Sequence, residues 1–228
     1  QTVALKLVVE REREIEKFIA EEYWTVEAKL AAGRKTFVAK LYGDENGKID
    51  SIQNEASANE ILEKLNGAEY VVTDVKKGKR NRQPAPPFIT STLQQEASRK
   101  LGFTGQRTMR IAQQLYEGID LSAIGTTGLI TYMRTDSLRI SEEARAAANK
   151  YIANTFGEKY LPSKPRYYKS KSGAQDAHEA IRPTDIFITP DSVKDSLTSE
   201  QYKLYKPIWE RFIASLMAPS VPDTVPVD

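Results

Sequence analysis

The sequence contains no cysteine and a single histidine, His178. The first absence removes disulfides and thiolate metal sites, and fits a reducing compartment. The second leaves any serine-type triad dependent on one residue, and no G-x-S-x-G elbow accompanies it. "HEAIR" opens like a zinc-protease helix, but Arg182 stands where the second histidine belongs. "GDENGKI" is one residue short of a phosphate-binding loop and has no Ser or Thr after its lysine. There is no G-x-G-x-x-G, which argues against dinucleotide binding, and no D-x-D pair, so no metal ligands are expected in this chain. No apolar run approaches the ~20 residues of a membrane helix, and no signal-peptide pattern is present. No membrane partner is expected.

What is present suits a globular protein: 40% hydrophobic and 28% charged residues over 228 positions, enough for one large or two modest domains. The chain opens at Gln1 inside a helical pattern and closes in "SVPDTVPVD", where Pro222 and Pro226 interrupt a strand-like alternation. It is therefore expected to be a piece of a larger protein.

The net charge of +2 conceals an uneven distribution. Nine basic residues lie between Asp74 and Arg110, among them Arg99, Arg107 and Arg110, against only Asp74 and Glu96. A second run, "KYLPSKPRYYKSK", has five basic residues, three tyrosines and no acid. Cations interleaved with aromatic rings suit a single nucleic-acid strand, whose phosphates meet the cations while its bases stack on the rings. Either run alone is more readily read as a solvated face or a flexible loop.

Periodicity divides the chain. Residues 1–20 read as a helix, with Leu5, Val8, Val9, Ile15, Phe18 and Ile19 at helical spacing. "YWTVEAKL" and "KTFVAKLYG" read as a hairpin, "SANEILEKLNG" as a helix with a Ser57/Glu60 capping box, and "AEYVVTDV" as a strand. A basic, proline-containing linker, "KKGKRNRQPAPPF", follows. Two helices come next, "ITSTLQQEASRKLG", capped by Ser91 or Thr92 and ended by Gly102, and "TGQRTMRIAQQLYEG", closed by Gly118; a Gly-flanked strand through "GLITYMRTDS" follows, which is the order of a winged helix. "SEEARAAANKYIANTFG" is a helix capped by Ser141 and stopped by Gly157, "GAQDAHEAIRP" a short helix stopped by Pro183, and "TSEQYKLYKPIWERFIASLM" a last helix that Pro207 should kink or break early.

On a strand, Ile130, Tyr132 and Arg134 would share one face, with the phenol and guanidinium roughly 7 Å apart along it. They would then be placed to meet one phosphate. An ordinary strand with a core tyrosine and an edge arginine fits the same pattern. On a helix, His178 and Arg182 would lie one turn apart on one face, beside an apolar stripe of Ala174, Ala177 and Ile181.

"GLITYMRTDSLRIS" and "AQDAHEAIRPTD" closely resemble the two signature segments of the type IA DNA topoisomerases of bacteria. "PPFITSTLQQEASRKLGF" and "TMRIAQQLYEG" resemble the segments that precede the tyrosine in that family, and "QTVALKLVVEREREI" resembles the helix leading into its strand-gate region. The resemblance covers nearly the whole chain in the family's order. It implies an α+β fold: the last helix of one domain (1–20), a small mixed strand-gate domain (21–89, to which 219–228 return), and a mainly helical, winged-helix-like (CAP-like) domain bearing the tyrosine (90–218). It implies that Tyr132 attacks a phosphodiester of single-stranded DNA, giving a 5′-phosphotyrosine and a free 3′-hydroxyl without ATP. Arg134 would bind the phosphate and ease ionisation of a phenol that is only about 0.1% ionised at neutral pH. His178 would sit near the scissile phosphate or a neighbouring one, Arg182 would contact a phosphate or support the structure, and Asp136 would make an orienting hydrogen bond. The family's Mg²⁺ site lies in an N-terminal Toprim domain, which this chain lacks, and its home is the bacterial cytoplasm, on the nucleoid. Two other readings fit the residues: a non-catalytic winged-helix module for single-stranded DNA, and a structural arm that touches DNA weakly.

Overall fold

The computed structural model describes residues 2–121, 124–169 and 178–225. They form two compact units, Gln1–Thr73 and Asp74–Asp228. The division falls ahead of the expected boundary near residue 89.

The first unit begins with α1 (Thr2–Glu16), none of whose residues is buried. A hairpin follows, β1 (Glu27–Ala32) with β2 (Lys35–Lys40), in the antiparallel register Glu27↔Lys40 to Ala32↔Lys35. Gly33 supplies the positive φ of its two-residue turn. β3 (Gly43–Asp44) and β4 (Gly47–Lys48) make a second, minimal hairpin. α2 (Glu55–Leu65) is capped by Asn54, whose side chain accepts from Ser57 N at 2.8 Å. The helix therefore starts ahead of the expected Ser57 box, because Asn54 reaches the free N–H groups first. Val26, Ile52 and Ala58 are the small core, flanked by Leu41, Ile49, Ile61 and Leu65. The expected strand over 68–75 does not form: Tyr70, Val71 and Val72 are exposed, with no burial to select an extended partner.

The second unit opens with β5 (Gly78–Lys79), inside the stretch expected to be a linker. The basic segment is ordered by backbone pairing with the chain's far end, β8 (Asp223–Thr224), and by the reciprocal bonds of Arg82 and Ser220. Between these lie α3 (Thr90–Leu101), α4 (Gly105–Glu117), the hairpin β6 (Ile119–Leu121) with β7 (Gly125–Thr127), α5 (Glu142–Phe156) and α6 (Ser199–Leu216). α3 begins at Thr90, with Ile89 as its cap position and the Thr92 hydroxyl accepting from Ile89 N. Thr104, Ser141 and Thr198 cap the other helices through their side-chain oxygens.

α6 runs unbroken through Pro207. A mid-helix proline costs about 3 kcal/mol. Leu204, Tyr205, Ile208, Phe212 and Leu216 are each no more than 1% exposed on that helix, and full burial of such side chains stabilises by about 1.5–3 kcal/mol apiece. The core wins. It continues through Leu93, Ile111, Leu115, Leu129, Ile130, Met133 and Ile152. The mixed α+β class is the one expected. The expected strand through Tyr132 is instead a hairpin, β6–β7, followed by an irregular extended segment over 128–140.

Candidate functional site

The segment 128–140 lies between two other stretches of chain and bonds to both. On one side, Thr90 N donates to Thr135 O at 2.9 Å, and the Thr90 hydroxyl donates to Met133 O at 2.8 Å and accepts from Thr135 N at 2.9 Å. On the other, Thr131 N donates to Arg182 O at 2.9 Å, Thr184 N to Leu129 O at 3.0 Å, and the Thr131 hydroxyl to Ala180 O at 2.6 Å. Arg182 N closes the exchange on the Thr131 hydroxyl at 3.0 Å. Two threonine side chains thus do the work of missing ladder bonds. Met133, Thr135 and Ser137 are buried, while Arg134 and Asp136 are exposed and Tyr132 is half-buried. The period-two alternation survives without a regular strand.

The expected helix around His178 does not form over 178–183. Ile181 N donates to Phe88 O at 2.8 Å, and Ile181 and Pro183 bridge antiparallel to Phe88 and Ile130. Pro183 biases Arg182 towards extended backbone, and Ile181, fully buried, gains more from the core than a solvated turn offers. His178 and Arg182 are therefore not one helical turn apart. Gly173–Ala177 of that stretch, with Lys171 and Pro226, lie outside the described residues.

Tyr132 and His178 come together all the same, with ring centroids 5.1 Å apart and planes at 40°. The Tyr132 ring also meets Tyr116 of α4 edge-on, at 5.5 Å and 67°. Arg134 and Asp136 have no hydrogen bond or ion pair with another described residue. Arg182 does: its Nε donates to Glu179 Oε2 at 2.9 Å and its Nη1 to Pro183 O at 2.9 Å, and both side chains of the ion pair are largely buried. Among the described residues, Tyr132 offers a phenol, His178 an exposed imidazole, and Arg134 an exposed guanidinium without a partner.

The other basic candidates are engaged within the fold. Arg107 Nε donates to Glu200 Oε1 at 2.8 Å and Arg110 reaches Glu200 Oε2 at 3.4 Å, tying α4 to α6. Arg99, Lys100 and Arg211 converge on Glu96 at 3.1, 2.7 and 3.3 Å. The hydrogen bond from Lys100, helped by the charges of Lys100, Arg211 and Arg99, holds the Glu96 carboxyl below the usual carboxylate range. The bond from Arg107 does the same for Glu200. Within the tyrosine-rich run, Tyr168 donates to Ser215 O at 2.7 Å, and burial pushes its phenol up. Arg166 donates to Gln83 Oε1 at 2.7 Å, and Tyr167 carries the Arg145 guanidinium on its ring.

Tyr116, Thr90, Thr131 and Glu179 were not singled out from the sequence. Each acts through a partner brought near by folding, and no local pattern announces that. Among the described residues, no group of three or more His, Cys, Asp or Glu could hold a metal ion, and no helix is long and apolar enough to cross a membrane.

Tyr132 is thus half-buried on a doubly anchored segment, and Arg134, without a partner among the described residues, follows two positions on. The family model for DNA topoisomerase matches residues 1–228, and the chain belongs to that family, in its bacterial type IA branch. Among solved structures it is similar to full-length topoisomerase I from Thermotoga maritima, with 39% sequence identity and a TM-score of 0.74. The match covers 98% of this chain and 34% of that one, so the chain spans about a third of its relative's length.

Proposed function

We propose that this chain carries the DNA-cleaving tyrosine of a type IA topoisomerase that relaxes negatively supercoiled DNA. The observation that carries the reading is the Tyr132 ring, held on a segment anchored on both sides, against His178 and two residues from Arg134, which has no partner among the described residues. Tyr132 Oη attacks the phosphorus of a single-stranded phosphodiester and loses its proton. The bond from phosphorus to the 3′ oxygen breaks, and a 5′-phosphotyrosine remains. Arg134 grips the non-bridging oxygens as charge builds on them, a task suited to its planar fork. His178 lies against the scissile or the neighbouring phosphate. The free 3′-hydroxyl later attacks the phosphotyrosine and restores the strand, so no ATP is consumed.

The described residues offer no fit for Mg²⁺, and no step here passes through a metal. The reading assigns the metal, and the acid that protonates the leaving 3′ oxygen, to a Toprim domain elsewhere in the polypeptide. On that account this chain alone is inactive. The full polypeptide acts on DNA in the bacterial cytoplasm, at the nucleoid. The test is Tyr132→Phe in the full-length polypeptide, which removes only the nucleophilic oxygen. It should abolish cleavage and relaxation and leave single-strand affinity within a few-fold. A variant that still relaxes supercoiled plasmid overturns the reading, and leaves a winged-helix binding module as the account of the fold.

A further inference from the structure

We infer that Tyr116 is a positioning residue for the nucleophile: its ring sets the orientation from which Tyr132 attacks. The inference rests on the proposed role of Tyr132 and adds a residue to it.

Tyr116 sits in the last turn of α4, just ahead of Gly118, which ends the helix at φ 128°. The β6–β7 hairpin then pairs Ile119 with Thr127, which returns the chain to the end of α4. There Leu129 N donates to Leu115 O at 2.7 Å. Gly128 approaches so closely that a Cβ on it would lie 2.6 Å from Tyr116 O. Leu115 and Leu129 are fully buried, and Ile130 is 1% exposed. The backbones under the two tyrosines are thus tied to each other through a rigid floor, and the rings are not free to drift apart.

Their contact, 5.5 Å between centroids at 67°, is the edge-to-face arrangement that aromatic pairs favour. With His178 at 5.1 Å from the Tyr132 ring as well, the nucleophile's ring touches two others. An unflanked tyrosine samples several staggered wells, and in-line attack on phosphorus is productive from a narrow range of them. Tyr116 itself is 41% exposed, so truncating it leaves no core cavity. Its burial does not explain its placement, whereas its ring contact does.

The experiment uses the full-length polypeptide and a 3′-labelled single-stranded oligonucleotide, with single-turnover cleavage measured at saturating protein over a range of pH. Tyr116→Ala should slow cleavage by about 10- to 100-fold, the loss typical of a reacting group misplaced by about 1 Å. Affinity should stay within about threefold, and the pH profile should keep its shape. Tyr116→Phe keeps the ring and should recover the rate to within about threefold. Cleavage by Tyr116→Ala at the parent rate overturns the inference, as does a loss confined to affinity. So does a Phe variant as slow as the Ala variant with a displaced pH profile, since the hydroxyl would then act chemically. Tyr132→Phe is run beside them. If it still cleaves, the proposed function fails. If it is inert while Tyr116→Ala cleaves normally, only the positioning role fails.

Discussion

Gly128→Ala is the smallest perturbation that tests whether the tyrosine segment is seated as tightly as its contacts indicate. The added Cβ would meet Tyr116 O at 2.6 Å and Tyr116 C at 3.6 Å, where ordinary contact begins near 3.4 Å. The obstacle is a main-chain carbonyl at the end of α4, which cannot swing aside as a side chain would. The segment must therefore retreat by ~0.8 Å, and the 2.7 Å bond from Leu129 N to Leu115 O stretches or breaks. Overpacking of this kind costs about 1–3 kcal/mol, and a lost hydrogen bond about 0.5–1.5 kcal/mol more. A total of about 2–4 kcal/mol leaves a typical domain folded. With a urea slope of about 2 kcal/mol/M, the unfolding midpoint falls by about 1–2 M. Because the retreat occurs four residues before Tyr132, DNA cleavage by the full polypeptide should slow by about 10- to 100-fold. Gly105→Ala is the control. Its Cβ meets only the Gln94 side chain, at 3.6 Å, so both readouts should stay near those of the parent. A Gly128→Ala protein with an unfolding midpoint within about 0.3 M of the parent and unaltered cleavage would refute the close seating.

Arg134→Lys keeps the charge and loses the bidentate fork, so cleavage by the full polypeptide should slow by roughly ten- to a thousandfold in a single-turnover assay. The 228-residue chain should bind single-stranded DNA weakly, in preference to duplex, with affinity falling steeply between 50 and 200 mM salt in a fluorescence titration; a flat response would contradict an electrostatic footprint. The same chain should form no covalent adduct with labelled oligonucleotide on a denaturing gel, with or without magnesium, since general acid catalysis worth ~10²–10⁴-fold and the opposing wall of the site are supplied elsewhere. Glu96→Gln should cost about 1–2 kcal/mol at neutral pH, most of its partners being exposed. Because the folded carboxyl titrates below its ordinary 4.5, that stability is present above the unfolded pKa and is lost as pH falls through the folded one, so urea midpoints of parent and variant should converge in acid.

Local chemistry made much of the fold readable. Ser141 caps α5, Gly102 closes α3 in the left-handed region, and Gly118 and Gly157 stop α4 and α5, each where the pattern of residues placed it. These signals act within one turn of helix and do not depend on the rest of the chain. The misreadings share the opposite cause. Pro207 was expected to disturb α6, and the burial of its neighbours outweighed it. The valines of 68–75 carry strand propensity, but nothing packs on them. The residues from His178 to Pro183 have helical spacing, yet their backbone is claimed by Phe88, Thr131 and Arg139.

The site divides along the same line. Tyr132, Arg134 and His178 are proposed because their types and order match a family signature, and the signature says nothing of what holds them. The holding groups are threonine hydroxyls, a buried Glu179–Arg182 pair and the Tyr116 ring, whose value arises only from contacts made in three dimensions. The basic residues show why composition alone misplaces charge. Arg107 and Arg110 count as free cations within the window 74–110, because Glu200, their partner, stands far outside it. To meet a DNA phosphate they must exchange that carboxylate for it, whereas Arg134 needs no such exchange. An electrostatic reading of this surface should therefore weight cations by what they already hold, and by that measure Arg134, without a partner among the described residues, is open to a phosphate in a way that Arg107 and Arg110 are not.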